Sequence, residues 1–324
     1  MNEQGILSSS KKESYRSRRP IRNSPILVKE MRGLIRQQRS RSVLTIYMVG
    51  LTVITLLLYV TIISANALNP DPDVRRTLGK IIFLSITLIQ LAAIIFVTPL
   101  FSADSITTER ENKTFDLLRS ASVPESSIVR GKLLTGILFT LLLLLISLPL
   151  QSSAVLLGGI TFFEFLLTIL ILVTTTIFLF SVSIFATSRA QHTSSAIGLA
   201  YTIAGAVLLG LPVLAYVMIK LAPFPNDQAI FDALNTISKS LAPIPQIILV
   251  IVAWLLISTN PIATAFVSYN LFLNEGVQVL YDPKAFQIRV PFLAPWITFI
   301  ILYLLISWLF YRASVRRIKR SNKL

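Results

Sequence analysis

The sequence predicts an all-α membrane protein. It has six transmembrane helices, an N-terminal amphipathic elbow helix, and an outer-side helical hairpin, re-entrant or interfacial, between spans five and six. Three observations predict this class. The 324 residues are 54% hydrophobic and 14% charged, whereas soluble domains average about 45–50% apolar and about 25% charged. Six apolar runs reach the length of a bilayer crossing. The charge is concentrated at the two ends of the chain.

The runs are Val43–Ala65, Ile81–Phe101, Leu133–Leu157, Phe162–Ala186, Ala196–Ile219 and Phe292–Tyr311. Runs of about 20 residues, at 1.5 Å per residue, cross a hydrocarbon core about 30 Å thick. No Lys or Arg interrupts any of them, and one at mid-membrane would cost roughly 2.5–3.5 kcal/mol. The first run is longer than the apolar part of a signal peptide and follows a long basic lead, so it is expected to be retained as an anchor.

Charge gives the orientation. The net charge is +15. Residues 1–42 carry eleven Lys and Arg against three acids, and the stretch after Tyr311 carries six with none. By the positive-inside rule both termini are cytoplasmic, in the plasma (inner) membrane, and six crossings satisfy that parity. The surplus is thus read as a topology signal, and nucleic acid is not an expected partner. Residues 245–272 are apolar but broken by Asn260-Pro261 into parts too short to span. The preferred reading is a hairpin on the outer side, with two tilted crossings as the alternative.

Four parts are expected in order. Residues 1–23 form a disordered basic tail. Residues 24–42 form the elbow: Ser24-Pro25 suits a helix start. Leu27, Met31, Leu34 and Ile35 then share one face, with Lys29, Arg32, Arg36 and Arg39 opposite. Residues 43–312 hold the six spans, and residues 313–324 a second basic tail. Within the third part, loop 102–132 balances five acids against five bases and carries Phe115, Leu117 and Leu118. That combination describes a docking surface, with Thr108 capping a short helix whose first turn holds Glu109 and Glu111.

Chemistry is conspicuous by what the sequence omits. It contains no Cys, one His (His192), no P-loop, no nucleophile-elbow motif and no H-E-x-x-H. No metal site and no catalytic residue are expected. Glu164 is the one acid in a run, near its outer end. Gln90 lies mid-span, where it either faces a cavity or bonds a neighbouring helix. Gly198, Thr202, Ala206 and Gly210 form a small-residue stripe, read as a close packing face.

Several motifs together resemble the membrane-spanning permease of type-2 ATP-binding-cassette (ABC) exporters. Residues 23–32, NSPILVKEMR, are similar to that family's N-P-[apolar]-x-K-E-[apolar]-R opening. Residues 108–118, TERENKTFDLL, are similar to its G-E-R-E-x-G-T-[LF]-[DE]-x-L loop, with Thr108 and Asn112-Lys113 as departures. Val123-Pro124, residues 128–132 (IVRGK), Gly158-Gly159 and Asn260-Pro261 also fit. The resemblance implies a permease without enzyme activity of its own, paired as a homodimer or heterodimer with a second permease. It implies a separate ABC ATPase subunit that holds ATP and Mg, with no cofactor in this chain, and contact with membrane lipid. It implies a coupling surface of Glu109, Arg110, Glu111, Phe115, Leu117 and Leu118, and an elbow contact at Lys29, Glu30, Arg32 and Arg36. It also implies a cavity lined by spans two and five, at Phe83, Gln90, Ile94, Ile197, Tyr201 and Leu208. An ion-coupled transporter or channel, and a membrane scaffold, are the alternative functions.

Overall fold

The computed structural model describes residues 32–33, 36–66, 72–111, 125–156, 159–210, 254–256, 258–275, 279–281 and 292–321. They are helical apart from short turns and one two-residue strand pairing. Helices α1 (Gln38–Asn66), α2 (Pro72–Glu111), α3 (Glu125–Leu156) and α4 (Phe162–Arg189) follow one another. Next comes α5 (Thr193–Gly210), whose last turn, Ala206–Gly210, is π-helical. A shorter helix, α6 (Pro261–Glu275), follows, then strands β1 (Leu280–Tyr281) and β2 (Phe292–Leu293), then α7 (Pro295–Ser321).

All but α6 are long and apolar enough to cross a membrane, six helices in the described residues. Their apolar stretches, Ser40–Thr61, Gly79–Ser102, Val129–Leu156, Phe162–Arg189, Thr193–Gly210 and Pro295–Ile318, overlie the six runs of the sequence. Two boundaries differ. Phe292 and Leu293 pair antiparallel with Tyr281 and Leu280 instead of opening a helix. The helix waits for Pro295, whose fixed φ suits a first turn and whose missing N–H is not needed there. Thr108 does not cap a new helix either. The α-helix of the second span continues through it to Glu111. No Gly or Pro stands between Ser102 and Glu111, so propagation, one hydrogen bond per residue fixed, outweighs the cap.

The six membrane-length helices alternate in direction. Val129, Ile184 and Ile318 cluster where α3 begins and α4 and α7 end. Arg41, Arg130, Arg189, Arg312, Arg316 and Arg317 are exposed at this end, called here the basic end. Arg76, Lys80 and the Thr161–Glu164 turn lie at the opposite end.

Helix α4 is the axis of the bundle and the most buried of the six. It packs on α7, α2, α5, α3 and α6. Leu167, Ile171, Leu172, Phe178, Leu179 and Val182 join Leu91, Ile94, Leu144, Leu208, Phe299 and Tyr303 in one core. Thr174, Thr175 and Thr176 interrupt this apolar helix, yet each Oγ1 donates to the carbonyl four residues back at 2.8 Å. The bundle's outer face is apolar too: Leu57, Phe96, Leu145 and Leu209 each expose more than 60% of their surface. Patches of that kind are costly in water and suit hydrocarbon.

Two glycines set the closest approaches. A β-carbon on Gly136 of α3 would lie 2.1 Å from the Phe180 ring of α4. One on Gly159, ahead of α4, would lie 2.4 Å from the carbonyl oxygen of Arg76 and 2.6 Å from the amide of Lys80. Backbone cannot rotate aside. Gly159→Ala is therefore expected to destabilise the protein by about 1–3 kcal/mol, the usual range for overpacking. Gly50→Ala, with nothing within 4 Å, should leave stability unchanged or raised. Thermal unfolding of both variants in detergent micelles checks this; equal midpoints would refute the close approach.

Candidate functional site

Polar groups are scarce within the helices, so those present mark the candidate sites. The sequence-derived coupling surface falls on two kinds of residue. Glu109, Arg110 and Glu111 form the last turn of α2, past the apolar stretch that ends at Ser102. Phe115, Leu117 and Leu118 lie outside the described residues, as do Lys29 and Glu30. Arg32 and Arg36 are exposed and helical, one turn apart. Gln37 is non-helical and separates them from α1, while its own amide donates to the Gly33 carbonyl at 3.0 Å. The chain thus changes hydrogen-bonding pattern at Gln37, so the helix before it does not run unbroken into the first span.

Of the six residues expected to line a cavity, four are buried within this one chain. Phe83 packs with Leu51, Ile82, Ile86 and Ala154 between α1, α2 and α3, and its ring meets Phe165 of α4. Ile94 and Leu208 belong to the core around α4. Ile197 and Tyr201 are half-buried, and the Tyr201 hydroxyl donates to the Phe96 carbonyl at 2.6 Å. The α5 face that packs on its neighbours is Ala196, Ala200, Ala204 and Leu208, all buried. The stripe of Gly198, Thr202, Ala206 and Gly210 lies on the exposed side. It is not a packing face within the chain, because the alanines one step round the helix give an equally close approach.

Gln90 resolves toward a bond between helices. It is buried, its Nε2 donates to Ser147 Oγ of α3, and its Oε1 accepts from Gln151 Nε2 at 2.7 Å. Ser147 passes its own proton to the Leu144 carbonyl at 2.6 Å. Tyr47 of α1 reaches the same pair. Ser147 and Gln151 were recoverable from sequence: they stand one turn apart in an apolar run whose only amide side chain is Gln151.

A second polar site joins α5, α6 and α7. Asn260 caps α6, its Oδ1 accepting from the amides of Ile262 at 2.8 Å and Ala263 at 3.0 Å. Ser, Asp and Asn side chains do this because the first amides of a helix lack intrahelical acceptors. Its Nδ2 donates at 2.7 Å to the carbonyl of Leu208, inside the π-turn of α5. One residue earlier, the Thr259 carbonyl accepts from the Tyr303 hydroxyl of α7. The Trp254 indole donates to the Leu293 carbonyl. Residues 245–253 lie outside the described residues.

Glu164 is occupied as well. Its carboxylate accepts from the Thr161 amide at 2.9 Å, and Thr161 Oγ1 accepts from the Glu164 amide at 3.3 Å. This is a capping box, which keeps the carboxylate at the end of α4. Among the described residues no three metal-ligating side chains converge.

The Gln90 and Asn260 bonds yield paired expectations. Membrane-buried side-chain hydrogen bonds average about 0.6 kcal/mol and reach about 1.7. Gln90→Leu breaks two of them and should cost about 1–2 kcal/mol; Asn260→Ala, losing a cap and a tether, should cost a similar amount. Denaturant unfolding in mixed micelles measures both. No loss for Gln90→Leu would mean that α2 and α3 are not held by this contact.

No protein-family model matches the chain, and no curated protein matches it in sequence.

Proposed function

We propose that this chain is the transmembrane permease subunit of an ABC transporter, an exporter in which ATP hydrolysis by a separate subunit moves substrate across the plasma membrane. The observation that carries the reading is the mixed-charge motif Thr108–Leu118, whose first four residues close the long helix α2. Its 40 residues make a rod about 60 Å long. Gly79–Ser102 is the apolar part, so Glu109, Arg110 and Glu111 stand about two turns beyond it, continuous with it in hydrogen bonding. Force applied at Glu109 and Glu111 therefore reaches the membrane-depth residues of α2 without a flexible joint. Pro99, which removes one helical hydrogen bond, is the weakest point of the lever.

On this reading both termini are cytoplasmic, and the basic end faces the ATPase. Arg32 and Arg36 belong to the elbow, set off from α1 at Gln37. The described helix α6 belongs to the outer hairpin expected over 245–272, which on this reading does not cross the membrane. At 15 residues, α6 covers about 22 Å, short of the ~30 Å core, and Asn260 and Tyr303 tie its start to α5 and α7. The exposed small-residue stripe of α5 supports pairing with a second permease, since such stripes favour close helix contact.

The test is to co-purify the chain with its ATPase and reconstitute both. The double variant Glu109→Lys plus Glu111→Lys should insert and fold normally, yet lose more than about tenfold of substrate-stimulated ATP hydrolysis, the scale of about 1.4 kcal/mol of lost coupling. Normal transport by that variant would sink the coupling assignment. Transport by the chain alone, driven by an ion gradient, would overturn the ABC reading.

A further inference from the structure

The basic end contains an arrangement separate from the Thr108–Leu118 motif. Arg130 is exposed in the second turn of α3, and its Nε donates at 3.0 Å to the hydroxyl of Tyr311 on α7. The guanidinium, on an exposed side chain, is thus held by a partner 181 residues away. Next to Tyr311, Arg312 lies with its guanidinium carbon 4.3 Å from the centre of the Trp308 ring. Among the described residues neither arginine meets a carboxylate. Arg316 and Arg317 follow one turn later, both exposed.

Both arginines end an apolar stripe. On α7 the exposed residues Ile301, Leu304, Leu305, Trp308 and Leu309 lead to Arg312. On α3, Leu145 and Leu138 lead to Arg130. The two helices pack together, and Val129, Tyr311 and Val315 seal the seam at this end. An exposed apolar seam that ends in guanidinium groups with no carboxylate partner among the described residues complements a phospholipid: hydrocarbon against its chains, cation against its phosphate. Trp308 marks the level where the two meet, as aromatic residues do at a membrane interface. Guanidinium presents a planar fork suited to phosphate oxygens and keeps its charge at any physiological pH.

We propose that the α3–α7 seam binds a phospholipid with an anionic headgroup, its phosphate held by Arg130 and Arg312 and its acyl chains along Leu138, Leu145, Leu305 and Trp308. Tyr311 is the positioning residue, fixing Arg130 in place. The proposal rests on the six apolar helices alone and stands or falls separately from the ABC reading.

The experiment uses the full chain in neutral detergent. Phosphatidylglycerol and phosphatidylcholine with identical acyl chains are added, and retained lipid is counted by native mass spectrometry. Phosphatidylglycerol should be retained and phosphatidylcholine should not. Arg130→Gln and Arg312→Gln should each weaken retention about fivefold, the scale of one basic residue at an anionic surface. Arg130→Lys plus Arg312→Lys should keep part of it, guarding against a folding defect in the Gln variants. Arg41→Gln, at the same end but on α1, should change nothing. Equal retention of the two lipids, or an equal loss with Arg41→Gln, would overturn the site. So would displacement of the lipid by free glycerol phosphate at equal concentration, or by an acidic peptide, which would make the ligand a soluble phosphate or a protein.

Discussion

A polar group in hydrocarbon must find its partner inside the protein, because no water is there to take its place. Helix α4 shows the constraint most plainly. It has helices on nearly every side, so its threonines and serines cannot turn outward. Thr174, Thr175, Thr176, Ser181 and Ser183 each return a proton to their own helix. That internal settlement lets α4 pack on several neighbours at once. Gly136 of α3 can then press against Phe180, and Ala200 and Ala204 of α5 can sit close on the opposite flank.

Two amide side chains, Gln90 and Asn260, instead join one helix to another. Gln90 carries an amide too long and too rich in donors to be satisfied by a carbonyl one turn back. It recruits Ser147 and Gln151 across the α2–α3 contact. Asn260 does the same at the start of α6. The Leu208 carbonyl, inside the π-turn of α5, accepts from the Asn260 amide. Such π-turns are frequent at functional sites. Here one makes a docking point for the start of α6. The packing core, the Gln90 cluster and the Asn260 tether thus answer one requirement by three routes.

The spans were legible because the bilayer imposes a length, and runs such as Phe162–Ala186 satisfy it without a single Lys or Arg. Charge made the basic end legible too. Helix faces were harder. Hydrophobicity does not separate lipid from protein, so Gly198 and Ala200 carry almost the same signal although one faces outward and the other is buried. Continuity was also hidden: Thr108 has the chemistry of a cap, but the ladder already running from Pro72 gave it nothing to cap. The partners of Gln90 were half legible, since Gln151 is conspicuous in its run while its pairing depends on the register of two helices. The strand at Phe292–Leu293 depends on Leu280–Tyr281, a distant partner that local pattern does not reveal.

The amide pair between Gln90 and Gln151 also bears on how the chain enters the bilayer. During synthesis α2 reaches the lipid well before α3 has left the ribosome. Alone, it carries a bare amide at mid-depth, and moving such a group from water into hydrocarbon without a partner costs about 4–8 kcal/mol. Once α3 arrives, the same amide becomes an attraction. The second and third helices are therefore favoured to leave the insertion machinery as a pair, with Gln90 waiting at the protein-lined exit until Gln151 emerges. A residue that looks like a defect in a hydrophobic segment then sets the order of assembly.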